Sequence, residues 1–357
     1  MIYFDNAATT PHIFNTTQFY NPSSMHKLGL DAERELKQAR NNIADILRIS
    51  SNEIIFTSGG TEANNLAILG YALANTRRNV HIYAYPYDHP SIIAPIKFAA
   101  ERGWATSQLS STWNISTSPA LVSFSQVDSE TGAVLDIENI SSYIKKFNPA
   151  AVIHVDGAQG FCKHEINLKN IDMYTFSGHK VHGGVGAGGL WLRKGVRVLP
   201  LLQGGGQEFG LRPGTENVSC IANMSKNAVA LHSCMQKHYK HVYEINMHLR
   251  ELVNDLTDTI VNSSVHDTSP YILNMSILGL KAEVLVNMLS EQGLFVSTGV
   301  ACRVKQKNKS ALELMGYPKQ NADSAIRLSF SHLNTMDEAI IARKIIVSSV
   351  SKLREML

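Results

Sequence analysis

Long apolar stretches are missing from this sequence, and residues 1–6 have neither a basic start nor a long apolar segment. We therefore expect no membrane helix and no secretion signal, and we predict a cytoplasmic protein. The 33 Lys and Arg residues nearly balance the 30 Asp and Glu residues, which leaves a formal net charge of +3. So small a charge creates no field that favours nucleic acid or a lipid surface. We expect no direct DNA binding, and partners that are small molecules and proteins.

Cysteine is scarce as well. The four cysteines are widely scattered and form no C-x-x-C pair: Cys162, Cys220, Cys234 and Cys302. This spacing argues against a disulfide framework and against a zinc knuckle. We predict reduced thiols and no bound metal.

The sequence does contain enough apolar material for a large core, since 44% of its 357 residues are hydrophobic. A chain of this length is expected to form two domains. We place the large domain at residues 15–235 and the small domain at 1–14 together with 236–357.

Helical and strand patterns alternate along the chain. The predicted helices span 31–49, 90–101, 137–147 and 336–353. Another predicted helix begins at the glycine turn 58–62 and ends at about residue 74, and residues 217–261 are predicted to form a long helix or a helix pair. The predicted strands span 52–57, 80–84, 121–125, 151–155, 272–277, 295–297 and 326–330. This order predicts an α/β fold, in which a mostly parallel sheet is covered on both faces and is followed by a smaller α+β unit. Ligands should bind at the carboxyl ends of the parallel strands.

Two segments at such strand ends indicate a cofactor. An apolar strand ends in Asp156, and Ser177-Gly178-His179-Lys180 follows soon after. A lysine amine can hold the aldehyde of pyridoxal 5'-phosphate (PLP) as a Schiff base, while a buried carboxylate keeps the pyridine nitrogen protonated. Ser177 and His179 can anchor the phosphate. Either segment alone also suits a surface lysine or an ordinary strand end, and it is their order that favours PLP.

A glycine-rich run near Lys180 could be mistaken for a dinucleotide site. Residues 184–189 match the pattern G-x-G-x-x-G, but they follow a loop and lead into the apolar residues 190–192 rather than into a helix. We interpret these glycines as places where backbone segments approach each other closely.

Several further motifs occur in a fixed order. They are Asp5-Asn6-Ala7-Ala8-Thr9-Thr10, Asn21-Pro22-Ser23-Ser24, Thr57-Ser58-Gly59-Gly60-Thr61-Glu62, Asp88-His89, Asp156-Gly157-Ala158-Gln159, Ser177-Gly178-His179-Lys180, Arg212-Pro213-Gly214-Thr215 and Ser297-Thr298-Gly299-Val300-Ala301-Cys302. With these motifs the chain resembles, nearly end to end, the cysteine desulfurases of the class V aminotransferase group. The resemblance implies a fold type I PLP-dependent transferase, whose large domain holds a seven-stranded, mostly parallel sheet between helices.

The resemblance also implies roles for the matching residues. Lys180 would bind the cofactor, and Asp156 would pair with its pyridinium. Gln159 and Ser129 would contact the phenolic oxygen of the ring, and His89 would stack on the ring and assist proton transfer. The phosphate would be held by Gly60, Thr61, Ser177, His179 and, from the other subunit of a homodimer, Thr215. Arg327 would clamp the substrate carboxylate through a bidentate pair.

Each of these residues has a plainer interpretation. His89 precedes Pro90 and could simply cap the following helix. Arg327 could form an ordinary ion pair. Gly60 and Thr215 could be turn residues without any ligand.

Cys302 would be the nucleophile of such an enzyme. It precedes the basic residues 303–309, where positive charge favours a thiolate. The alternative is a solvated charged loop that happens to contain a cysteine. In the reaction that the resemblance implies, Lys180 removes the Cα proton of L-cysteine. Cys302 then attacks the substrate sulfur, which leaves alanine and an enzyme persulfide.

The spacing from Cys302 to residues 314–316 resembles the long loop of group I desulfurases. It implies direct transfer of sulfur to a protein acceptor, such as an iron-sulfur scaffold or a sulfur carrier. Two departures from the family pattern, Ser129 within residues 128–132 and Arg303 after the cysteine, leave room for a specialised donor in tRNA or cofactor thiolation. The alternatives are a selenocysteine lyase, another class V aminotransferase, and a non-enzymatic PLP-bound partner protein.

Overall fold

The computed structural model describes residues 1–13, 20–110, 112, 113, 115, 119–298 and 310–356, and only the main chain of Arg78. Its α-helices are α1 (Lys27–Leu47), α2 (Gly60–Asn65), α3 (Tyr71–Ala74), α4 (Pro90–Ala100), α5 (Ile137–Phe147), α6 (Val218–Ser233), α7 (Met235–Arg250), α8 (Leu252–Asp255), α9 (Ala282–Glu291), α10 (Ala311–Leu314), α11 (Lys319–Asp323) and α12 (Met336–Glu355). A π-helical turn (Leu66–Gly70) joins α2 to α3, and short 3-10 turns span Ser51–Glu53, Thr76–Arg78, Gly178–Lys180 and Glu208–Gly210. No helix in these described ranges is long and apolar enough to cross a membrane.

The strands are β1 (Ile2–Tyr3), β2 (Ile54–Thr57), β3 (His81–Ala84), β4 (Thr106–Gln108), β5 (Ala120–Ser125), β6 (Val152–Asp156), β7 (Met173–Ser177), β8 (Gly188–Leu192), β9 (Thr259–Val261), β10 (Ile272–Ile277), β11 (Leu294–Phe295) and β12 (Ala325–Ser329). The chain divides into two compact units. The large unit comprises Pro11–Gln126 and Leu135–Ser233, and the small unit comprises Met1–Thr10, Val127–Val134 and Cys234–Leu357. The domain bounds that we inferred from the sequence stay a prediction.

The large unit is built on a seven-stranded sheet in the order β2-β8-β7-β6-β5-β3-β4. Strands β7, β6, β5, β3 and β4 run parallel to one another, and β8 is antiparallel to both of its neighbours, β2 and β7. Strand β2 therefore runs in the same direction as the parallel strands. The prediction of a mostly parallel sheet between helices is confirmed.

Alternate side chains of these strands point to opposite faces of the sheet, and both faces are buried. Phe56 and Val122 enter one apolar cluster, which also contains residues of α1 and α6. Ile55 and Leu121 enter the other cluster, which contains residues of α2 and α4. Helices thus cover both faces and leave the strand ends as the accessible edge of the sheet.

The small unit contains an antiparallel sheet in the order β12-β10-β9 and a parallel pair, β1 with β11. Helices α7, α9 and α12 contribute apolar side chains to its core. One prediction is wrong here, because residues 259–261 form a strand rather than the end of a long helix. The helical path ends at Leu256, whose backbone is extended (φ −123°, ψ 121°), and the β-branched residues 259–261 pair with β10. Strands β7 and β8 and helix α9 were not predicted.

Glu208 covers the exposed edge of β2. Its Oε2 atom accepts a hydrogen bond of 2.7 Å from the Phe56 N–H, and both carboxylate oxygens bind the Arg40 guanidinium, at 2.9 and 2.5 Å. The Glu208 side chain is 1% exposed and that of Arg40 is 11% exposed. Removing one partner of a buried ion pair destabilises the fold, because the remaining charge stays buried without compensation.

We expect Glu208→Ala to lower the free energy of unfolding by about 3 kcal/mol or more, because Arg40 would stay buried without its counter-ion. Urea unfolding followed by circular dichroism measures this loss. The double substitution Arg40→Met with Glu208→Leu leaves no unpaired charge and should cost less than the single one. Equal losses for the two variants would contradict the explanation.

Candidate active site

Three strands that run in the same direction end at one edge of the large sheet, and each end carries a predicted site residue. Strand β2 ends at Thr57, just before Gly60, and β6 ends at Asp156. Strand β7 ends at Ser177, and Lys180 lies in the 3-10 turn that follows directly. The sheet therefore brings together the segments that the sequence singled out.

Asp156 is a buried carboxylate with two hydrogen-bond donors. Asp156 is 7% exposed. Its Oδ1 atom accepts from the Ala158 N–H at 2.9 Å, and its Oδ2 atom accepts from Asn64 Nδ2 at 2.7 Å. These bonds hold the carboxylate in a defined orientation, as a partner of a pyridinium nitrogen requires.

Ser177 has a buried hydroxyl. The residue is 2% exposed, and its Oγ atom forms no hydrogen bond with any residue that the structure describes. A Cβ atom placed on Gly60 would lie 3.8 Å from this oxygen, so the hydroxyl faces the point where α2 begins. An unsatisfied buried donor beside a helix start suits a phosphate oxygen.

His179 follows Ser177 in the same turn. Burial first, and then the positive charges of Lys180 and Lys163, lower the pKa of His179 to about 3. The imidazole is therefore neutral at physiological pH and can donate one hydrogen bond.

Thr61 is exposed in the first turn of α2, and Thr215 is exposed in the loop before α6.

The glycine-rich run next to Lys180 has the packing role that we inferred. Gly188 starts β8, and a Cβ atom there would come within 2.6 Å of the Gly59 Cα atom. Gly183, just before this run, is equally tight, because a Cβ atom there would come within 2.5 Å of the Met224 Cα atom. The interpretation of a close backbone approach is confirmed for Gly188.

Gln159 lies beside a buried lysine that sequence reasoning missed. Lys163 Nζ donates to Gln159 Oε1 at 3.4 Å. Burial lowers the pKa of Lys163 to about 8. The spacing of four residues between Gln159 and Lys163 could have indicated that the two side chains are neighbours. Nothing in the sequence showed that Lys163 is buried.

His89 is the N-cap of α4, as the plainer interpretation predicted. Its Nδ1 atom accepts from the Ser91 N–H at 3.2 Å and lies 2.7 Å from Ser91 Oγ. The residue is exposed. This capping role does not test the predicted contact with the cofactor ring, which stays a prediction.

In the small unit, Arg327 is buried, and only some of its guanidinium N–H groups have an acceptor among the described residues. Its Nη1 atom donates to the Ser129 carbonyl oxygen at 2.8 Å, and Nη2 donates to Asp5 Oδ1 at 3.0 Å. Its Nε atom has no hydrogen-bond partner within the described ranges, although the residue is only 7% exposed. The ion-pair interpretation is thus confirmed, and an N–H group is left over for a carboxylate.

Ser129 lies in a turn whose main chain is held by Asp128. The Asp128 carboxylate accepts from the N–H groups of Glu130, at 3.1 Å, and Thr131, at 2.6 Å. The Ser129 carbonyl is used by Arg327, whereas the predicted role of the residue at the cofactor ring stays a prediction.

Cys302 lies outside the described residues, as does Arg303. The other three cysteines form no disulfide within the described residues, and Cys162 is buried, which raises the pKa of its thiol. Burial of this kind fits a small apolar side chain rather than a reactive thiol.

The residues of the large unit fit PLP. A buried carboxylate, a lysine in the turn after the next strand, and a hydroxyl beside a helix start that has no partner among the described residues correspond to its pyridine nitrogen, its aldehyde and its phosphate. The fold and these donors define the class: a PLP-binding α/β enzyme of fold type I.

Comparisons with known proteins agree with this class. The model of the family described as aminotransferase class-V matches residues 2–340. A NifS/IcsS protein homolog of Lactobacillus delbrueckii subsp. bulgaricus is 35% identical over 364 residues, which cover 95% of this chain and 94% of that protein. The cysteine desulfurase IscS of Buchnera aphidicola subsp. Schizaphis graminum is 33% identical, over 99% of this chain and 93% of that one.

The solved structure of a NifS-like protein is similar with a TM-score of 0.91 at 28% identity, and it covers 98% of this chain and 99% of its own. The chain therefore belongs to the class V aminotransferase family, in its NifS- and IscS-like cysteine desulfurase group. This group depends on PLP, so the prediction of the cofactor and that of the family are confirmed.

We expect Ser177→Ala to raise the dissociation constant of PLP about 10-fold or more, because a hydrogen bond to a charged phosphate would be lost. Equilibrium dialysis or fluorescence titration of the cofactor-free protein measures it. A matched control is Ser123→Ala, which removes another buried hydroxyl of the same sheet, one that lies 2.8 Å from His154 Nδ1. A similar loss of affinity in both variants would show that Ser177 only supports the fold.

Proposed function

We propose that this protein converts L-cysteine to L-alanine and passes the sulfur through a persulfide on Cys302 to an acceptor. The observation that carries the proposal is the grouping of Asp156, Lys180 and the unpartnered Ser177 hydroxyl at one edge of one sheet. The relatives that are named cysteine desulfurases support L-cysteine as the substrate.

Bound PLP would supply the electron sink that stabilises negative charge at the substrate Cα atom. Lys180 would hold the cofactor aldehyde and, once the substrate has displaced its amine, would remove the Cα proton. Asp156 would keep the pyridine nitrogen protonated and so preserve the electron demand of the ring. His89 would stack on the ring and assist the return of a proton.

Sulfur transfer balances without an outside oxidant. The Cys302 thiolate would attack the sulfur of the substrate, so that an S–S bond forms while the C–S bond breaks. The electron pair of that bond goes to the substrate carbon, which gains a proton and leaves as alanine. The basic residues 303–309 after Cys302 favour the thiolate that this step needs.

The remaining site residues would position the two ligands. Arg327 would bind the substrate carboxylate, using the Nε–H that has no other acceptor among the described residues. Gln159 and Ser129 would contact the phenolic oxygen of the cofactor. The phosphate would be bound by Gly60, Thr61, Ser177, His179 and the Thr215 of a second subunit.

The acceptor would be a protein, either an iron-sulfur scaffold or a sulfur carrier for tRNA or cofactor thiolation. The group I spacing after Cys302 supports direct transfer to such a partner. A cytoplasmic homodimer is the form that we propose for the enzyme. A selenocysteine lyase, another aminotransferase and a PLP-bound partner protein are the alternatives to be tested.

We expect the wild type to form alanine from L-cysteine in the presence of a reductant, and Cys302→Ser to lose at least about 100-fold in rate while it still binds substrate, because only the sulfur acceptor is removed. Alanine is measured by amino-acid analysis, and substrate binding by the cofactor absorbance. Cys234→Ser, at an exposed thiol, is the control.

Full activity of Cys302→Ser would disprove the persulfide step and favour a lyase of the selenocysteine type. Absence of alanine with every protein, despite normal cofactor binding, would favour the PLP-bound partner protein. Formation of other keto acids from added amino acids would favour an aminotransferase.

The proposed role of Thr215 in the second subunit can be tested with mixed dimers of Lys180→Ala and Thr215→Ala chains. If Thr215 acts across the interface, a mixed dimer contains one site with both residues intact, and its activity and cofactor retention should exceed those of either parent. The measurement is the rate of alanine formation by tandem-purified mixed dimers. Activity no higher than that of the Thr215→Ala parent would place Thr215 in the site of its own chain.

A further inference from the structure

We propose that Asn64 and Ser91 are positioning residues that connect the Asp156 carboxylate to the His89 imidazole and hold this ring in the tautomer protonated at Nε2. The proposal rests on the proposed function, because it assigns Asp156 and His89 to the cofactor site. All four residues belong to the large unit.

Asn64 is the centre of the connection. It is 1% exposed, and its Nδ2 atom donates to Asp156 Oδ2 at 2.7 Å and to Ser91 Oγ at 2.8 Å. A flipped amide would turn the Asn64 carbonyl oxygen toward the carboxylate, where two acceptors would face each other. The carboxylate therefore determines which way the amide points. The Asn64 Oδ1 atom is consequently left without a partner within the described part of the chain.

Ser91 connects Asn64 to His89 through two contacts with the His89 Nδ1 atom. Its main-chain N–H lies 3.2 Å from His89 Nδ1, and an N–H group can only donate, so Nδ1 carries no proton. The Ser91 hydroxyl oxygen lies 2.7 Å from the same nitrogen. Because this oxygen already accepts from Asn64, its own proton is free to point at Nδ1. Two donors of one residue thus converge on a single ring nitrogen.

The consequence concerns the proton of His89. A neutral imidazole whose Nδ1 accepts must hold its proton on Nε2. A second proton at Nδ1 would break the bond from the Ser91 N–H, which is the N-cap bond of α4, and would force the Ser91 hydroxyl to accept instead of donate. His89 would therefore act in the site as a neutral N–H donor through Nε2. The same chain of hydrogen bonds would therefore orient both the Asp156 carboxylate and the His89 ring.

The tautomer can be measured without turnover. We would record long-range ¹H–¹⁵N correlation spectra of the histidine rings at neutral pH, with and without PLP, and assign the His89 signals with His89→Gln. The expected result is an unprotonated Nδ1 and a protonated Nε2 in both forms. A protonated Nδ1, or a doubly protonated ring, would overturn the proposal.

Substitutions test the connection itself. Ser91→Ala removes the hydroxyl donor at 2.7 Å and keeps only the longer main-chain donor at 3.2 Å, so the Nδ1-protonated tautomer should rise to a measurable minor fraction. Ser91→Thr, which keeps the hydroxyl, should restore the wild-type signals. Ser141→Ala is the matched control, since Ser141 is another buried serine near the start of a helix, and its Oγ donates to Glu138 O at 3.1 Å. The same change of the His89 signals in this control would contradict a specific role of Ser91.

A double-mutant cycle of Asn64→Ala and Ser91→Ala, read as the dissociation constant of PLP, should deviate from additivity about three-fold or more. Additive effects would show that Asn64 and Ser91 act separately. Failure of the proposed function remains distinguishable: an enzyme that forms no alanine can still show the expected tautomer, and an active desulfurase can show the wrong one.

Discussion

The structure of the site depends on one buried carboxyl group. Asp156 ends a strand whose side chains lie within the sheet core, and a carboxylate in that position is tolerated only if donors replace the water it has lost. The Ala158 N–H supplies one donor and Asn64 supplies the other. Asn64 lies on α2, the helix that follows β2. The same packing that satisfies the carboxylate therefore brings the start of α2, with Gly60, to the ends of β6 and β7.

Close approach of the backbone is the second constraint on this edge of the sheet. Strand β8 enters the sheet between β2 and β7, and Gly188 meets Gly59 at a distance that excludes any side chain. Two short glycine segments that are far apart in sequence thus pack directly on each other. The turn that carries Lys180 lies between them in the chain, and its position follows from this packing.

Much of this arrangement was predictable from local patterns. Helix α1 buries Leu36, Ala39, Ile43 and Leu47, which recur at helical spacing, and strands such as β5 are short apolar runs between polar turns. The short strands β7 and β8 were missed because glycines interrupt their surroundings. Strand β9 was missed because helical residues run directly up to it, and only its pairing with β10 makes it a strand. The partners Asn64, Ser91 and Lys163 were missed because an amide, a hydroxyl and a lysine have no periodicity that reveals what they contact.

The amino-acid sequence by itself indicated the class of fold and the cofactor, because both rest on residue type and spacing along the chain, and its resemblance to a known family implied the residues that would bind the cofactor. Only the tertiary structure decided which groups donate to Asp156, that the Ser177 hydroxyl has no partner in the described part of the chain, and which nitrogen of His89 accepts a hydrogen bond. The physical reason is that hydrogen bonds form between atoms at about 3 Å, and residues such as Asn64 and Asp156 reach that distance only when the sheet and its covering helices have packed.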